Sequence, residues 1–383
     1  MILLFSSRIL CYESNLVFIK KMSEALNALG EETRIIELDN DWEKELSEIP
    51  YGKYKALIDF NSLLPRMEND DGSPYLDGFD APFFNYVVDH PMYHHPGITR
   101  KIKNNNVLCV DTCHVKYIKD NYPDIKKCVY LPLTGEAPLN ETDFSKRKYE
   151  ILVMATMTDE NLIYNDIMKF PKEYQTYMKD ICELMMENPY TTQEDVVKAY
   201  IKNEGLDVSN KDFPLFMNNI CMADKLARYR RREKFVTSLI KEDLPVTLVG
   251  NGWENTLKAI PSKRINYVGD VGFNVSYTVM ANSKMLVNLS PEFHGGVHDR
   301  VYSAMSAGCA VVTDHNDEVE KEFDIGQNIV TYDRGDVFDF TEKVAEVYEN
   351  AHRMHMIGEE AKKYHKKYDT WEQRMIKFLD LLL

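Results

Sequence analysis

Residues suited to holding a phosphate stand together late in this chain: Gly295 and Gly296, then Val297, His298, Asp299 and Arg300. Glycines lack a Cβ, so their backbone N–H groups can approach a ligand closely. A helix starting at this point would add its free N–H groups and its dipole, both of which favour an anion. Arg300, in the first turn, would supply a planar fork of donors to the same group. A second set of titratable residues lies in the first half, where Asp89 and His90 precede Pro91 and are followed by Tyr93, His94 and His95. A carboxylate or imidazole there could take the proton of an attacking hydroxyl as a general base. The alternative is that Asp89 organises a turn ahead of the proline. His114 is a further candidate for the same surface.

These residues need rigid elements to place them. Residues 285–289 are a short apolar run that reads as a buried strand, and Val301, Ala304 and Met305 repeat at helical spacing after the glycines. Gly308 stands where a left-handed C-cap belongs, and 309–313 form another apolar run ending in Asp314. The first half repeats the theme, with strands expected at 2–5, 34–38, 56–60, 84–88, 107–110 and 129–133, and helices at 15–29 and 116–121. Strands separated by helix-length crossovers imply parallel sheets. The first strand is followed by Ser6-Ser7-Arg8 instead of a glycine fingerprint, so no dinucleotide site is expected there. A linker at 134–148, with Gly135 and Pro138, precedes a strand at 149–154. The pattern is helical from 159 to 239, and the RYRRR cluster at 228–232 reads as a solvated helix face, with a phosphate-facing role as the alternative. A strand at 328–331, a helix through 351 and a terminal helix at 369–383 close the chain. The domains expected are 1–140 and 141–368, with 369–383 packing back on the first.

The segment resembles the C-terminal half of GT-B glycosyltransferases, in particular the CgeB-like (spore maturation protein-like) family. The matching positions are Gly295-Gly296, His298-Asp299-Arg300, Ala304-Met305-Ser306-Ala307-Gly308 and Val312-Thr313-Asp314, with LVGNGWEN at 248–255 and YVGDVGF at 267–273 upstream. The resemblance implies an α/β fold of two Rossmann-like parallel-sheet domains facing across a cleft, with a helical elaboration in the second. It implies a cytoplasmic, bacterial, hexosyltransferase-type enzyme that moves a sugar from a nucleotide diphosphate, UDP foremost, to a hydroxyl of a glycan, protein or cell-surface acceptor. Donor contacts would come from Asn251, Gly252 and Trp253, from Tyr267 and Val268, and from 295–300. Trp253 offers an aromatic surface for a base or sugar, or else packs in the core. The acceptor side would come from the first domain, with Asp89 or His90 as base. Many retaining members of the wider group carry paired glutamates where this chain has Gly295 and Ser303, so those sugar contacts do not carry over. Asp299 is either a replacement acid or the N-cap of its helix.

Composition sets limits. A formal net charge of −15 disfavours nucleic acid and anionic membranes as main partners, since both demand a basic footprint. The seven cysteines, among them Cys11, are scattered and odd in number, which suggests neither a disulfide nor a zinc framework and fits a reducing compartment. The apolar start is too brief for a signal peptide, and no later run is long enough to span a bilayer. Asp39-Asn40-Asp41 has the spacing of the acidic motif that binds manganese in GT-A transferases, but it follows a strand and reads as a turn, so no metal or other cofactor is expected. Two other readings stay open: a nucleotide-sugar epimerase of the same fold, and a non-catalytic binding subunit of a glycosylation complex.

Overall fold

The computed structural model describes residues 1–7, 14–38, 42–138, 140–290 and 292–383; Arg8, Cys11 and Asp39-Asn40-Asp41 lie outside them. Two compact units emerge, each built on one six-stranded parallel sheet. Unit 1 comprises Met1–Leu133, Ser209–Asn218 and Thr370–Leu383, and unit 2 comprises Thr134–Val208 and Asn219–Asp369.

The strands of unit 1 are β1 (Ile2–Ser6), β2 (Thr33–Glu37), β3 (Ala56–Phe60), β4 (Phe83–Val87), β5 (Asn105–Cys109) and β6 (Lys127–Tyr130), in the order β2-β1-β3-β4-β5-β6. β1, β3, β4 and β5 are buried along their whole length, as strands covered on both faces must be. β5 begins two residues earlier than its apolar run because Asn105 and Asn106 belong to it. Asn106 is kept in a buried strand by donating from Nδ2 to the Phe83 carbonyl at 3.0 Å. The helix Trp371–Asp380 is part of this unit: a Thr370/Gln373 capping box starts it, and its Trp371 and Phe378 rings lie 6.0 Å from Phe18 and 5.2 Å from Phe84.

Unit 2 contains β7 (Tyr149–Met154), β8 (Val246–Val249), β9 (Asn266–Gly269), β10 (Ser283–Val287), β11 (Ala310–Asp314) and β12 (Val330–Tyr332), in the order β12-β11-β10-β7-β8-β9. The chain builds outward from β7 to β9, then returns to the other side of β7 and builds outward again. β7 and β10 are therefore adjacent across a topological switch point, and in open parallel sheets the crevice beyond such a point is where ligands bind. The crossover from β7 to β8 is the helical stretch, whose last member, Met222–Lys241, runs back along the sheet. That helix contributes Phe235, Val236, Leu239 and Ile240 to a core shared with β7, β8, β10, β11 and β12. Its N-terminal half consequently reaches the carboxyl edge of the strands. Among the described residues no helix is long and apolar enough to cross a membrane.

Candidate functional site

β10 ends at Val287, and the next residue is a polar joint. Asn288 is fully buried, donates its backbone N–H to the Val312 carbonyl at 2.8 Å and its side-chain Nδ2 to Thr313 Oγ1 at 2.9 Å. Its carbonyl accepts from the Tyr332 hydroxyl at 3.0 Å, and its Oδ1 accepts from Arg300 Nη1 at 3.3 Å. One residue, through its backbone and its side chain, thus ties three strand ends to the arginine singled out from the sequence. Gly295, Gly296 and Val297 are buried, and the Gly296 carbonyl accepts from Asn316 Nδ2 at 3.0 Å.

The helix Asp299–Ser306 follows, and its N-cap is His298, whose Nδ1 accepts from the Arg300 backbone N–H at 3.1 Å. The N-cap reading of Asp299 is therefore corrected: Asp299 is the first helical residue, and the imidazole does the capping. Asp299 Oδ1 also lies 2.9 Å from His298 Nδ1, but that nitrogen can either accept from Arg300 or donate to Asp299, not both. Burial works to raise the Asp299 carboxyl, yet His298 and Arg300 outweigh it and hold it below the usual range. Burial pushes the Arg300 guanidinium down, with Asp299 opposing. Ser303, at one of the positions where glutamate recurs in related enzymes, is buried against Gly135: a Cβ on that glycine would stand 2.2 Å from the Ser303 nitrogen.

Next to this loop a pocket of about 300 Å³, its open mouth included, is lined by residues from the ends of β10, β11 and β12 and by the arginines of Met222–Lys241. Arg228 pairs with Asp224 at 2.9 Å, Arg231 with Glu292 at 3.1 Å, and Arg334 with Asp314. Arg232 donates to the Thr156 carbonyl and lies 5.3 Å from the Tyr229 ring centre. Burial, together with Arg228 and Arg300, pushes its guanidinium down to about 10. Arg230 does not line the pocket and is half-buried elsewhere, held by Glu160, Glu183 and the Tyr164 hydroxyl. The solvated-face reading of the cluster is accordingly corrected for 228, 231 and 232. The i, i+3, i+4 spacing of those three, in register with buried Phe235, is the signal that marks them as inward-facing.

After β8, Gly250 and Gly252 take φ values of 123° and 91°. Their need for glycine comes from the neighbouring loop: a Cβ would stand 2.4 Å from the Ala155 carbonyl oxygen and 2.0 Å from that of Met157. Trp253 is 0 % exposed and its indole N–H donates to the Ala155 carbonyl at 2.6 Å, so the ring is a core element and offers no open stacking face. Asn251 is exposed and accepts through Oδ1 from the Asp270 backbone at 3.1 Å. The Tyr267 hydroxyl donates to Glu254 at 2.8 Å, and Val268 is 43 % exposed. The 155–157 segment after β7 therefore touches both groups, meeting Arg232 through Thr156 and the β8 loop through Ala155 and Met157.

In unit 1 the end of β4 is organised by two consecutive residues in the left-handed region, Asn61 (φ 51°) and Ser62 (φ 61°), just beyond β3. Asn61 accepts from the Val88 backbone at 3.0 Å and donates to Asp89 Oδ2 at 3.1 Å. Ser62 and Asn85 bond each other twice, at 2.9 and 2.7 Å. Asp89 leaves 44 % of its side chain exposed, with His94 Nε2 at 3.8 Å. His90, by contrast, is buried: its Nδ1 accepts from the Met92 backbone at 3.1 Å, and its ring packs 4.8 Å from His114 and 4.9 Å from Tyr117. Nothing in the sequence marked Asn61 as the residue that holds Asp89.

Residues 230–380 match the model of a family described as glycosyl transferase-like. No curated protein matches the sequence. Among solved structures the chain is similar to sucrose-phosphate synthase from Thermosynechococcus elongatus, at 9 % identity and a TM-score of 0.61 over 99 % of this chain and 97 % of that one. It is also similar to Anabaena HepE in complex with UDP and glucose, at 10 % identity and a TM-score of 0.54 over 99 % of both chains. TarM from S. aureus gives a TM-score of 0.51 at 12 % identity over 85 % of this chain; the chain spans only 55 % of that longer protein. At such identities the likeness speaks for the fold: the chain has the GT-B fold of two parallel-sheet units, and its residues 230–380 are similar to a glycosyl transferase-like family.

Proposed function

We propose that the protein is a glycosyltransferase, of the CgeB-like branch, that moves a sugar from a nucleotide diphosphate donor to a hydroxyl acceptor in the cytoplasm without a metal ion. The observation that carries this reading is the arginine-lined pocket at the carboxyl edge of the second sheet, next to the switch point, whose lining apart from Arg228 falls in the segment that matches the glycosyl transferase-like family. As the bond to the anomeric carbon breaks, negative charge collects on the departing diphosphate, and fixed cations in a water-poor site stabilise it strongly. Arg300, anchored by Asn288, fills that role, with His298 setting the start of its helix. Arginine charge in place of a cation is what supports metal independence. UDP is the first donor to try, because HepE and TarM were each solved in complex with it. Asn251, Gly252, Tyr267 and Val268 are assigned to the nucleoside end.

On the acceptor side Asp89 is the better-placed base of the two candidates. Its carboxylate is exposed and held by Asn61, whereas His90 is packed between aromatic rings. The buried Ser303 favours a second reading, a binding subunit that holds a sugar nucleotide without turning it over.

The test is calorimetry and thermal shift with UDP, GDP, ADP, TDP and CDP and their common sugars, with and without magnesium, on the wild type and Arg300→Ala. Stabilisation by one nucleoside diphosphate, unaffected by magnesium and lost in Arg300→Ala, is the expected result. Silence across the panel would overturn the donor reading. Incubation with the UDP-sugar that binds then separates transfer or hydrolysis from isomerisation, the mark of an epimerase, and from inert binding.

A further inference from the structure

We infer that Arg232, backed by Arg228, meets the donor's phosphates from the helix Met222–Lys241, so that the diphosphate is held between this helix and Arg300. The inference rests on the nucleotide-sugar reading above and extends it to residues outside the glycine loop.

Charge in the pocket is unevenly balanced. Four guanidinium groups line the pocket, and three carboxylates are matched to them: Asp224 to Arg228, Glu292 to Arg231, and Asp314 to Arg334. Arg232 alone of the four has no carboxylate within ion-pair distance among the described residues. It has a backbone carbonyl and an aromatic ring, and its Nε has no hydrogen-bond partner. A buried cation without a counter-ion is unfavourable, and one placed near like charges is more so. Burial first, and then Arg228 and Arg300, depress the Arg232 guanidinium. Glu292 offsets this only in part, being paired with Arg231, and Asp314 is paired with Arg334. The pocket therefore holds positive charge in excess where the loop 292–300 and the helix meet. A polyvalent anion satisfies several guanidinium groups at once, which makes a diphosphate a better match than a single carboxylate.

This arrangement has a signature that a purely structural arginine lacks. The free protein carries a local instability at Arg232 that ligand relieves, so neutralising the residue leaves the unliganded fold intact or firmer while weakening the anion. The experiment uses the full chain as wild type, Arg232→Gln, Arg232→Lys and the control Arg230→Gln, whose arginine faces Glu160 and Glu183. Melting temperatures are measured without ligand, and binding of UDP, GDP, ADP and inorganic pyrophosphate is measured by calorimetry. Arg232→Gln is expected to melt no lower than the wild type and to bind the preferred diphosphate about ten- to a hundredfold more weakly, in line with loss of charged hydrogen bonds. Arg232→Lys, which keeps the charge but not the fork, is expected to fall between them, and Arg230→Gln to bind normally. Unchanged binding in Arg232→Gln overturns the inference and leaves the donor reading standing. A melting temperature well below that of Arg230→Gln also overturns it, since Arg232 would then be holding the fold. Pyrophosphate binding that depends on Arg232, with no response to any nucleotide, would support the anion site and defeat the donor reading. No binding of any probe to the wild type overturns both.

Discussion

Replacing Asp59 by Asn is expected to remove a pH dependence from the stability of unit 1. Asp59 lies in β3, 1 % exposed, and its Oδ2 accepts from the Leu64 backbone N–H at 2.7 Å. Burial pushes its carboxyl up from 3.8 to about 7, and the surrounding backbone N–H groups of Leu64, Phe60 and Leu63 only partly oppose this. Between those two values the folded chain holds a proton that the unfolded chain has released. Stability must fall wherever the native state binds more protons as pH rises, so the contribution is full below about pH 4 and gone above about pH 7. At about 1.4 kcal/mol per pH unit the whole interval amounts to roughly 4 kcal/mol, of which about 3 kcal/mol falls between pH 5 and 8. Asn is isosteric with the neutral acid and keeps an acceptor for Leu64, so its stability has no such slope. The assay is scanning calorimetry of both proteins from pH 5 to 8, following the difference between their melting temperatures. A shift on the order of 10 °C over that range, wild type losing ground, is expected for a unit of this size. Parallel curves, or a wild type that gains relative to the variant, would refute the argument, because the carboxylate would then be ionised in the native state.

The Asn61 position separates backbone from side chain: Asn61→Gly accepts φ 51° without strain but frees Asp89 and the Val88 N–H, so transferase activity is expected to drop with about 1–3 kcal/mol of lost stability, while Asn61→Ala adds about 1–2 kcal/mol more in strain, visible in urea unfolding. Asp89→Asn is expected to lower the rate of transfer and leave donor affinity, read by calorimetry, unchanged; loss of donor affinity would contradict its assignment as the acceptor's base. Gly252→Ala is expected to destabilise unit 2 severely, since its Cβ would stand 2.0 Å from a backbone oxygen at φ 91°, and soluble yield and melting temperature report this directly. Trp253→Phe, which keeps the ring but leaves the Ala155 carbonyl without its indole donor, is expected to lose about 1–3 kcal/mol by denaturant titration without changing the preferred nucleotide.

Most of the architecture was legible in the order of residues, because parallel sheets covered on both faces need short apolar runs and a crossover between each pair. Ten of the runs are readable, and they fall within two residues of β1 to β7 and β10 to β12, except that the run at 129–133 ends three residues beyond β6. Misplacements came where polar residues enter a strand, as Asn105 and Asn106 do, or where an apolar run outlasts one, as Leu289 does beyond β10. Local chemistry was equally readable around 295–300, since a glycine pair, a helix start and an arginine are neighbours in sequence. What the sequence could not settle depends on partners far along the chain. Whether Trp253 packs or stacks turns on Ala155, 98 residues away. Whether an arginine of RYRRR meets solvent or a pocket turns on which way the helix rolls against Glu292, Asp314 and Arg334. Charge compensation, desolvation of Asp59 and the tether from Asn61 to Asp89 are properties of packed neighbours, and only tertiary structure decides those.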